Sequence, residues 1–235
     1  MATKIRIALG AFVLSLAANV LWIRGPFDWR LPLAALAAWY LADFASGLIH
    51  MTMDYIPCRS GVGLADIYFY EGSRESDHYI RLRDEVWSRI SPFEKVAYDF
   101  KNHHPRPDAL GRRDIVFLIW STVLFVSLPI SLAFNLYAAI FHPPGWLVVG
   151  FVVLVSGGTL SQWFHGSLHR QHNPAFVPVL RRLGLLMTPA AHGVHHATLT
   201  RDFSVINGWS NPVLNIVFRL LLQRGILTPA GLEPT

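Results

Sequence analysis

The sequence has few charged residues and almost no cysteine, and each shortage excludes a class of protein. Only 15% of its 235 residues are charged, against about a quarter in an ordinary soluble domain. Hydrophobic residues make up 52%, so the composition indicates a small multispanning membrane protein with one domain, residues 1–235. Cys58 is the single cysteine, which excludes an internal disulfide, a thiolate zinc cluster and a cysteine-ligated iron–sulfur centre.

Several catalytic motifs are also missing. The sequence contains no H-E-x-x-H, which argues against a zinc protease. It has neither the G-x-S-x-G of a serine hydrolase nor a glycine-rich loop for phosphate. No residue therefore stands out as a catalytic group separate from a metal site.

Four segments are long and apolar enough to cross a bilayer, which takes about 20 residues. They cover residues 5–23, 31–53, 115–141 and 145–165, with a kink expected at Pro129. The first follows Lys4 and Arg6 as a signal peptide would, but it lacks a clear cleavage site, so we interpret it as a retained span. Residues 177–187 and 212–222 predict interfacial helices. The predicted fold is an all-α multispanning membrane helix bundle with about four transmembrane helices.

The net charge of +5 has an uneven distribution along the chain. Of the 20 Lys and Arg residues, 18 lie at the start of the first span or before it, between residues 55 and 114, or after residue 165. The positive-inside rule places these segments and both termini in the cytoplasm. The basic residues thus indicate how the chain is oriented in the membrane, and no nucleic-acid partner is expected. The expected location is a bacterial inner membrane.

Histidines are abundant at this predicted cytoplasmic edge. Eight of the 11 histidines fall in four clusters beside apolar segments, where an unpaired polar ring is costly. The clusters are His50; His103 and His104; His165 and His169; and His192, His195 and His196.

Helical spacing predicts that the members of a cluster converge. Positions three and four residues apart share a helix face, so His165 and His169 point one way, as do His192, His195 and His196. His50 falls on a stripe with Asp43, Gly47 and Asp54, and Asp54 adds a carboxylate ligand. Imidazoles and carboxylates with open positions favour iron and oxygen chemistry, and nine donors suit two metal ions better than one.

The remaining candidates have secondary roles. Asp43 is predicted to orient a histidine rather than to bind metal, and His172 is a further candidate ligand. His78 and His142 lie in a polar loop and a turn and are predicted to have no function.

The sequence motifs resemble those of a known family. Five blocks follow one another in the expected order: DFASGLIHMTMD (43–54), FKNHHPRP (100–107), QWFHGSLH (162–169), HGVHH (192–196) and FSVINGWSNP (203–212). Together, over about residues 41–222, they resemble the Kua-type plasmanylethanolamine desaturases, which have a plastid acyl-lipid desaturase as a relative.

The resemblance implies an O₂-dependent lipid desaturase with a histidine-held di-iron centre, forming the vinyl ether of plasmalogens from 1-O-alkyl phospholipids. It also implies that the eight clustered histidines and Asp54 are essential. Asn102 stands where the family has an acidic residue before the histidine pair, and it is expected beside the metal ligands. The loop 55–99 is longer than in the animal members of the family. The expected partners are a membrane phospholipid and an external electron donor, cytochrome b5-like or ferredoxin-like.

Other functions remain open at this point. Desaturation or hydroxylation of phospholipid acyl chains would use the same ligands. A haem-binding membrane electron carrier predicts isolated histidines in mid-span, whereas these cluster at one edge. A metal transporter would need polar residues through the bilayer midplane, where the spans carry almost none beyond Asp43.

Overall fold

The computed structural model describes residues 2–25 and 27–235, and in these ranges every regular element is helical. A π-helical turn, Val123–Ser127, joins two helices of one span, and a short 3₁₀ turn, Pro229–Gly231, lies near the C-terminus. The α-helices are α1 Ala2–Leu21, α2 Arg30–Tyr55, α3 Leu64–Tyr68, α4 Asp77–Ser88, α5 Pro92–His103, α6 Pro107–Gly111, α7 Ile115–Thr122, α8 Leu128–Phe141, α9 Gly145–Leu168, α10 Phe176–Arg182, α11 Pro189–Thr198 and α12 Asn211–Gln223.

Four of the described helical segments have the length and apolar character to cross a membrane. They are Thr3–Leu21, Arg30–Tyr55, Ile115–Phe141 and Gly145–Leu168. The prediction of four spans is confirmed, and each boundary lies within three residues of the predicted one. The chain is therefore a multi-pass membrane protein with an all-helical fold.

The central contact of the bundle is between α2 and α9. A Cβ atom added at Gly157 would lie 2.8 Å from the Cβ of Ala42, so only glycine allows this approach. Gly47 has the same role on another side of α2, where an added Cβ would lie 2.9 Å from the backbone of Ser204. These two glycines allow α2 to pack closely against α9 and against the segment before α12.

The third span contains the irregularity expected from Pro129. Proline cannot donate a backbone hydrogen bond, and its ring would collide with the carbonyl four residues earlier, that of Phe125. The chain widens into the π-helical turn Val123–Ser127 at this point. Within the turn, the Ser127 hydroxyl lies 2.7 Å from that of Thr159 on α9. The distortion predicted at Pro129 is thus a π turn just before it.

The first span is joined to the third by a buried polar network. Ser15 Oγ lies 2.8 Å from Ser131 Oγ, which also donates to Asn19 Oδ1 at 2.9 Å. Asn135 donates to the Ser15 carbonyl at 2.9 Å and accepts from Trp22 Nε1 at 3.1 Å. Polar groups that find partners across helices stabilise membrane bundles, so α1 is an integral part of this fold.

The long loop expected between α2 and α5 contains two helices with their own small core. The side chains of Leu64, Ile67, Tyr79 and Val86 are buried there against Tyr98 of α5. The sequence patterns did not predict this core, because α3 is only five residues long.

Helix α5 begins as its sequence predicts. The Ser91 side chain accepts from the Glu94 amide at 3.2 Å, and the Glu94 carboxylate accepts from the Ser91 amide at 2.7 Å. Pro92 occupies the first turn. This capping box fixes the start of the helix that delivers His103.

The helices predicted at the membrane surface are present near the C-terminus. Helix α10 is shorter than expected, since the chain turns at Gly184 with φ 71°. Large apolar side chains of α10 and α12, among them Val179, Ile216 and Leu220, are about half exposed. Such amphipathic helices are typical of the membrane interface.

Candidate metal centre

Two groups of side chains that could bind a metal ion lie side by side where four helices meet. In each group the candidate ligand atoms lie within 4.8 Å of one another. The five-histidine group contains His103, His165, His169, His192 and His196. The carboxylate group contains His50, Asp54, His104 and His195.

Each of the four helices supplies candidate ligands, and α2, α5 and α9 supply them from their last turns. Helix α2 supplies His50 and Asp54, four residues apart, and α9 supplies His165, with His169 as its C-cap. Helix α5 supplies the adjacent pair His103 and His104, the latter as its C-cap, and α11 supplies His192 together with the adjacent pair His195 and His196. Neighbouring positions on a helix point about 100° apart, so each adjacent pair is divided between the groups. This explains why His195 joins the carboxylate group, although its spacing predicted the same direction as His192 and His196.

The nitrogens of the five-histidine group are close enough to share one ion. His192 Nε2 lies 3.1 Å from His165 Nε2 and 3.1 Å from His196 Nε2. Two imidazole nitrogens bound at right angles, each about 2.1 Å from one ion, are roughly 3.0 Å apart. The spacing fits a single ion and leaves no room for a porphyrin between the rings, so the haem alternative is not favoured.

The second group is arranged around Asp54. Its Oδ2 atom lies 3.3 Å from His195 Nε2, 3.4 Å from His50 Nε2 and 3.6 Å from His104 Nε2. The Asp54 side chain has no exposed surface. A buried carboxylate is strongly destabilising without a positive partner, and a metal ion would provide one.

The two groups are in direct contact. The ring centroids of His103 and His104 are 4.3 Å apart, and those of His50 and His165 are 4.8 Å apart. The two groups could therefore hold two neighbouring ions.

Backbone carbonyls orient three of the rings. His50 Nδ1 donates to the Phe203 carbonyl at 2.9 Å, and His195 Nδ1 donates to the Arg201 carbonyl at 3.0 Å. His103 Nδ1 donates to the Phe100 carbonyl. A carbonyl can only accept, so the proton lies on Nδ1 and the Nε2 lone pair is directed towards the group centre.

Several of the nitrogen and oxygen atoms that could bind a metal are buried and have no hydrogen-bond partner in the protein. Among the described residues these include both carboxylate oxygens of Asp54 and the Nε2 atoms of His50, His103 and His169. Buried polar atoms nearly always have a partner, so this many together fit a site that binds a metal ion. The imidazole and carboxylate donors fit first-row transition metals.

Burial also favours the form of histidine that binds metal. Burial, together with the nearby imidazoles, lowers the pKa of His104 to about 2. The same causes lower the pKa values of His169 and His196 to about 4. The rings are thus neutral at physiological pH, as a ligand must be.

The Asp43 carboxylate lies elsewhere than predicted. It contacts no histidine, and its two oxygens accept four backbone N–H groups at 2.8–3.2 Å and the hydroxyl of Ser210 at 2.6 Å. The amides belong to Ile206, Asn207, Gly208 and Ser210. Phe203, whose carbonyl accepts from His50 Nδ1, lies three residues before the first of these amides.

Asn102 does not contact the ligands either. Its Oδ1 atom accepts from Arg106 at 2.9 Å and lies 3.4 Å from Arg74 Nη1. These arginines also bind the Tyr68 carbonyl, so Asn102 links α5 to α3. An acidic residue at this position would sit between two guanidinium groups.

Three histidines lie outside both groups. His172 is exposed, as are His78 and His142. His142 caps α8 in the left-handed conformation, and His78 contacts the Tyr70 hydroxyl at 3.0 Å. The structure brings together the eight clustered histidines and Asp54 but leaves His172 apart.

Sequence reasoning missed one residue beside the centre, Lys101. Its side chain is fully buried, and its ammonium donates to the carbonyls of Met53 and Asp54 at 2.7 and 2.8 Å. The sequence did offer a signal for this role, since a lysine stands two residues before the histidine pair at a position that faces α2.

A groove of about 450 Å³ leads to the centre between α5, α7 and α9. Its inner wall includes His103 and His165, both from the five-histidine group, while none of the carboxylate group borders it. Most of the other side chains are apolar: Pro92, Phe93, Val96, Phe100, Leu110, Phe117, Leu118, Trp120 and Phe125. The groove has the shape and chemistry to hold a hydrocarbon chain.

Comparison with known proteins agrees with this geometry. The lipid desaturase domain matches residues 91–234, more than half of the chain. Fatty acid desaturase 4, chloroplastic, of Arabidopsis thaliana is 26% identical over 209 residues, covering 86% of this chain and 53% of that protein. Plasmanylethanolamine desaturase of Myxococcus xanthus is 27% identical over 217 residues, covering 88% and 64%. No solved structure matches the chain.

The matches cover only part of each relative, and the domain match covers only part of this chain. The chain spans between about half and two thirds of the length of these two relatives. The domain match begins after His50 and Asp54, so geometry alone joins α2 to the other ligands. The match over residues 91–234, with seven of the eight clustered histidines inside it, shows that the chain belongs to the lipid desaturase family.

Proposed function

We propose that this protein is an oxidoreductase that desaturates a hydrocarbon chain of a membrane phospholipid, using O₂ and two external electrons. The observation that supports this most strongly is that the five-histidine group borders an apolar groove through His103 and His165, with the carboxylate group directly behind it. A soluble substrate would not need a groove lined by so many aromatic and aliphatic side chains.

Iron is the proposed metal. The eight imidazoles and one carboxylate would hold two ions with positions left open for O₂. When bound, two iron ions would supply the redox chemistry that joins O₂ reduction to the removal of two hydrogen atoms from adjacent carbons. In the balanced reaction, O₂ takes two electrons from the lipid and two from the donor, and with two further protons it gives two waters and a C=C bond.

The chain's own residues would hold and shield the reacting carbons. His103 and His165 border the groove and would lie nearest to the lipid chain. Phe100 separates the groove from His50, whose ring centroid is 5.3 Å from that of Phe100. Leu118 and Phe100, both more than 90% buried, would exclude water from the inner end.

Two substrate classes follow from the relatives. The myxobacterial relative is named for plasmanylethanolamine, an ether lipid, and we propose the 1-O-alkyl phospholipid as the first candidate, with a plasmalogen vinyl ether as the product. The plant relatives are named as fatty acid desaturases, which makes an acyl chain the second candidate. The ligand geometry is compatible with both.

The experiment is a lipid profile of cells that lack vinyl ethers, with and without the gene, when both alkyl and acyl phospholipids are present. Acid-labile vinyl ethers are scored separately from new acyl double bonds and from hydroxylated lipids. The His192→Ala variant is the matched control, since it is expected to insert into the membrane but lacks one metal-binding imidazole. A profile that does not change, with iron-loaded protein and a reducing partner present, would contradict the proposal.

A further inference from the structure

The rim of the groove carries charged side chains that the reaction itself does not use. Lys95 and Asp99 lie on α5, one helical turn apart, and Arg113 lies between α6 and α7. All three line the same groove as His103 and His165. Charged side chains at the edge of an apolar groove suit a ligand with a charged group at one end.

The positive charge at the rim exceeds the negative charge. Arg113 and Asp99 form a bidentate ion pair with N–O distances of 3.1 and 3.2 Å, and each side chain is 29% exposed. The Lys95 ammonium lies 5.7 Å from the centre of the Trp87 ring. In the part of the chain that the structure describes, no carboxylate lies within salt-bridge distance of Lys95. Two cations and one acid thus line the groove.

The charged side chains of the groove lie near the start of the third span, and its apolar lining continues along that span. Arg113 precedes α7 by two residues, and the groove continues along that span past Trp120 and Phe125. The ten residue steps from Ile115, the start of α7, to Phe125 cover roughly 15 Å of helix. The groove therefore suits an amphiphile with an anionic head at the rim and a long chain inside.

We propose that Lys95 and Arg113 bind the phosphate group of a phospholipid whose hydrocarbon chain lies in the groove, and that Asp99 competes with this phosphate for Arg113. This subsite rests on the proposed function, because the same lipid would be the substrate. A phosphodiester presents two anionic oxygens, so it can contact both cations at once. Binding there would fix which carbons lie beside His103 and His165.

The test measures binding by the full-length protein in detergent micelles, without turnover. Phospholipids with brominated chains quench tryptophan emission when a chain lies beside Trp120, and their apparent affinity is compared among variants. Lys95→Gln and Arg113→Gln are each expected to weaken binding about three- to tenfold, a range set by partly screened charges. Asp99→Asn should strengthen binding by a similar factor, since it frees Arg113. Arg112→Gln, an exposed neighbour outside the groove, is the matched control.

The opposite signs separate this proposal from a purely structural ion pair. If Asp99→Asn weakens binding as Arg113→Gln does, the pair only supports the fold and the proposal fails. The affinity for brominated diacylglycerol should not change in any variant, because that lipid has no phosphate. Equal losses for diacylglycerol or for a brominated fatty acid, or quenching relieved by millimolar inorganic phosphate alone, would also overturn it.

The two proposals can fail separately. The expected binding pattern without any desaturated product would leave the subsite standing and remove the proposed activity. Desaturation that persists while all four variants bind the phospholipid equally would remove the subsite alone. Iron content measured in each variant should not change, since none of these residues belongs to the metal-binding groups.

Discussion

The ammonium of Lys101 donates to the backbone carbonyl of Asp54 at 2.8 Å, so a buried cation closes the end of α2 directly beside the metal-binding carboxylate. The same ammonium donates to the Met53 carbonyl at 2.7 Å. A cation at a helix C-terminus is stabilising there, and here it also links α5 to α2. The residue supports the site without being a ligand.

The first prediction concerns this lysine. Lys101→Met should lower the free energy of unfolding by about 2–4 kcal/mol, because two buried carbonyls lose their donor. The iron content should fall as well, because Lys101 no longer holds α5 against α2 and the distance between His103 and Asp54 is no longer fixed. Lys95→Met, on the same helix but partly exposed, is the control for both measurements. Equal effects of the two substitutions would contradict the role given to Lys101.

The second prediction concerns the ligands. His196→Ala should reduce the iron bound by anaerobically purified protein from about two ions per chain to about one or fewer, and Asp54→Asn should do the same through the other group. His78→Ala, His142→Ala and His172→Ala should retain full iron, because all three side chains are exposed and outside both groups. Metal analysis decides this, and active protein with zinc but no iron would contradict the di-iron proposal.

Much of the architecture followed from local sequence patterns. Long apolar runs predicted the four spans because crossing a bilayer sets a minimum length, and the capping box predicted the start of α5. Spacing of four residues grouped His165 with His169 because they share one helix face. These features depend on a few neighbouring residues, which is why a single sequence was sufficient.

The features that were missed depend on contacts between distant segments. The division of His195 from His196 depends on how α11 is rotated against α2 and α9, which periodicity within α11 does not fix. Asp43 binds a segment more than 160 residues later in the chain, so its partners could not be read from its own helix. The core around Tyr98 was missed for the same reason.

The third prediction concerns Asp43. Asp43→Asn should cost about 3–5 kcal/mol of stability, because an amide donor replaces one of two oxygens that accept backbone N–H groups in a buried site. Iron binding should weaken, since Phe203 then holds the His50 ring less firmly. Detergent unfolding and metal analysis of the same preparation test this, with the exposed Asp108→Asn as control. Normal iron content in a destabilised protein would show that the segment does not orient His50.

The fourth prediction concerns the polar network in the membrane. Asn19→Leu should destabilise the bundle by about 1 kcal/mol, the usual size of a hydrogen bond between transmembrane helices. A double-mutant cycle with Ser131→Ala should show a coupling energy of about 0.6 kcal/mol, because the two side chains bind each other. Leu14→Val, at a position exposed on the outer surface of α1, should be near neutral. Additive effects of Asn19→Leu and Ser131→Ala would mean that the network contributes no specific link between α1 and α8.

The last prediction concerns orientation. Because 18 of the 20 Lys and Arg residues lie in segments expected on one side, the positive-inside rule places the loop 55–114 and the C-terminus in the cytoplasm. Reporter fusions after Gly111 and after Thr235 should behave as cytoplasmic, and one after Pro144 as external. The two metal-binding groups would then lie at the cytoplasmic ends of α2 and α9, within reach of a soluble reductant, while the lipid chain approaches between α5 and α7. A cytoplasmic reporter at Pro144 would mean that residues 115–141 do not cross the membrane. The ends of α2 and α9 would then face different sides, and the shared site that they form could not be present in the inserted protein.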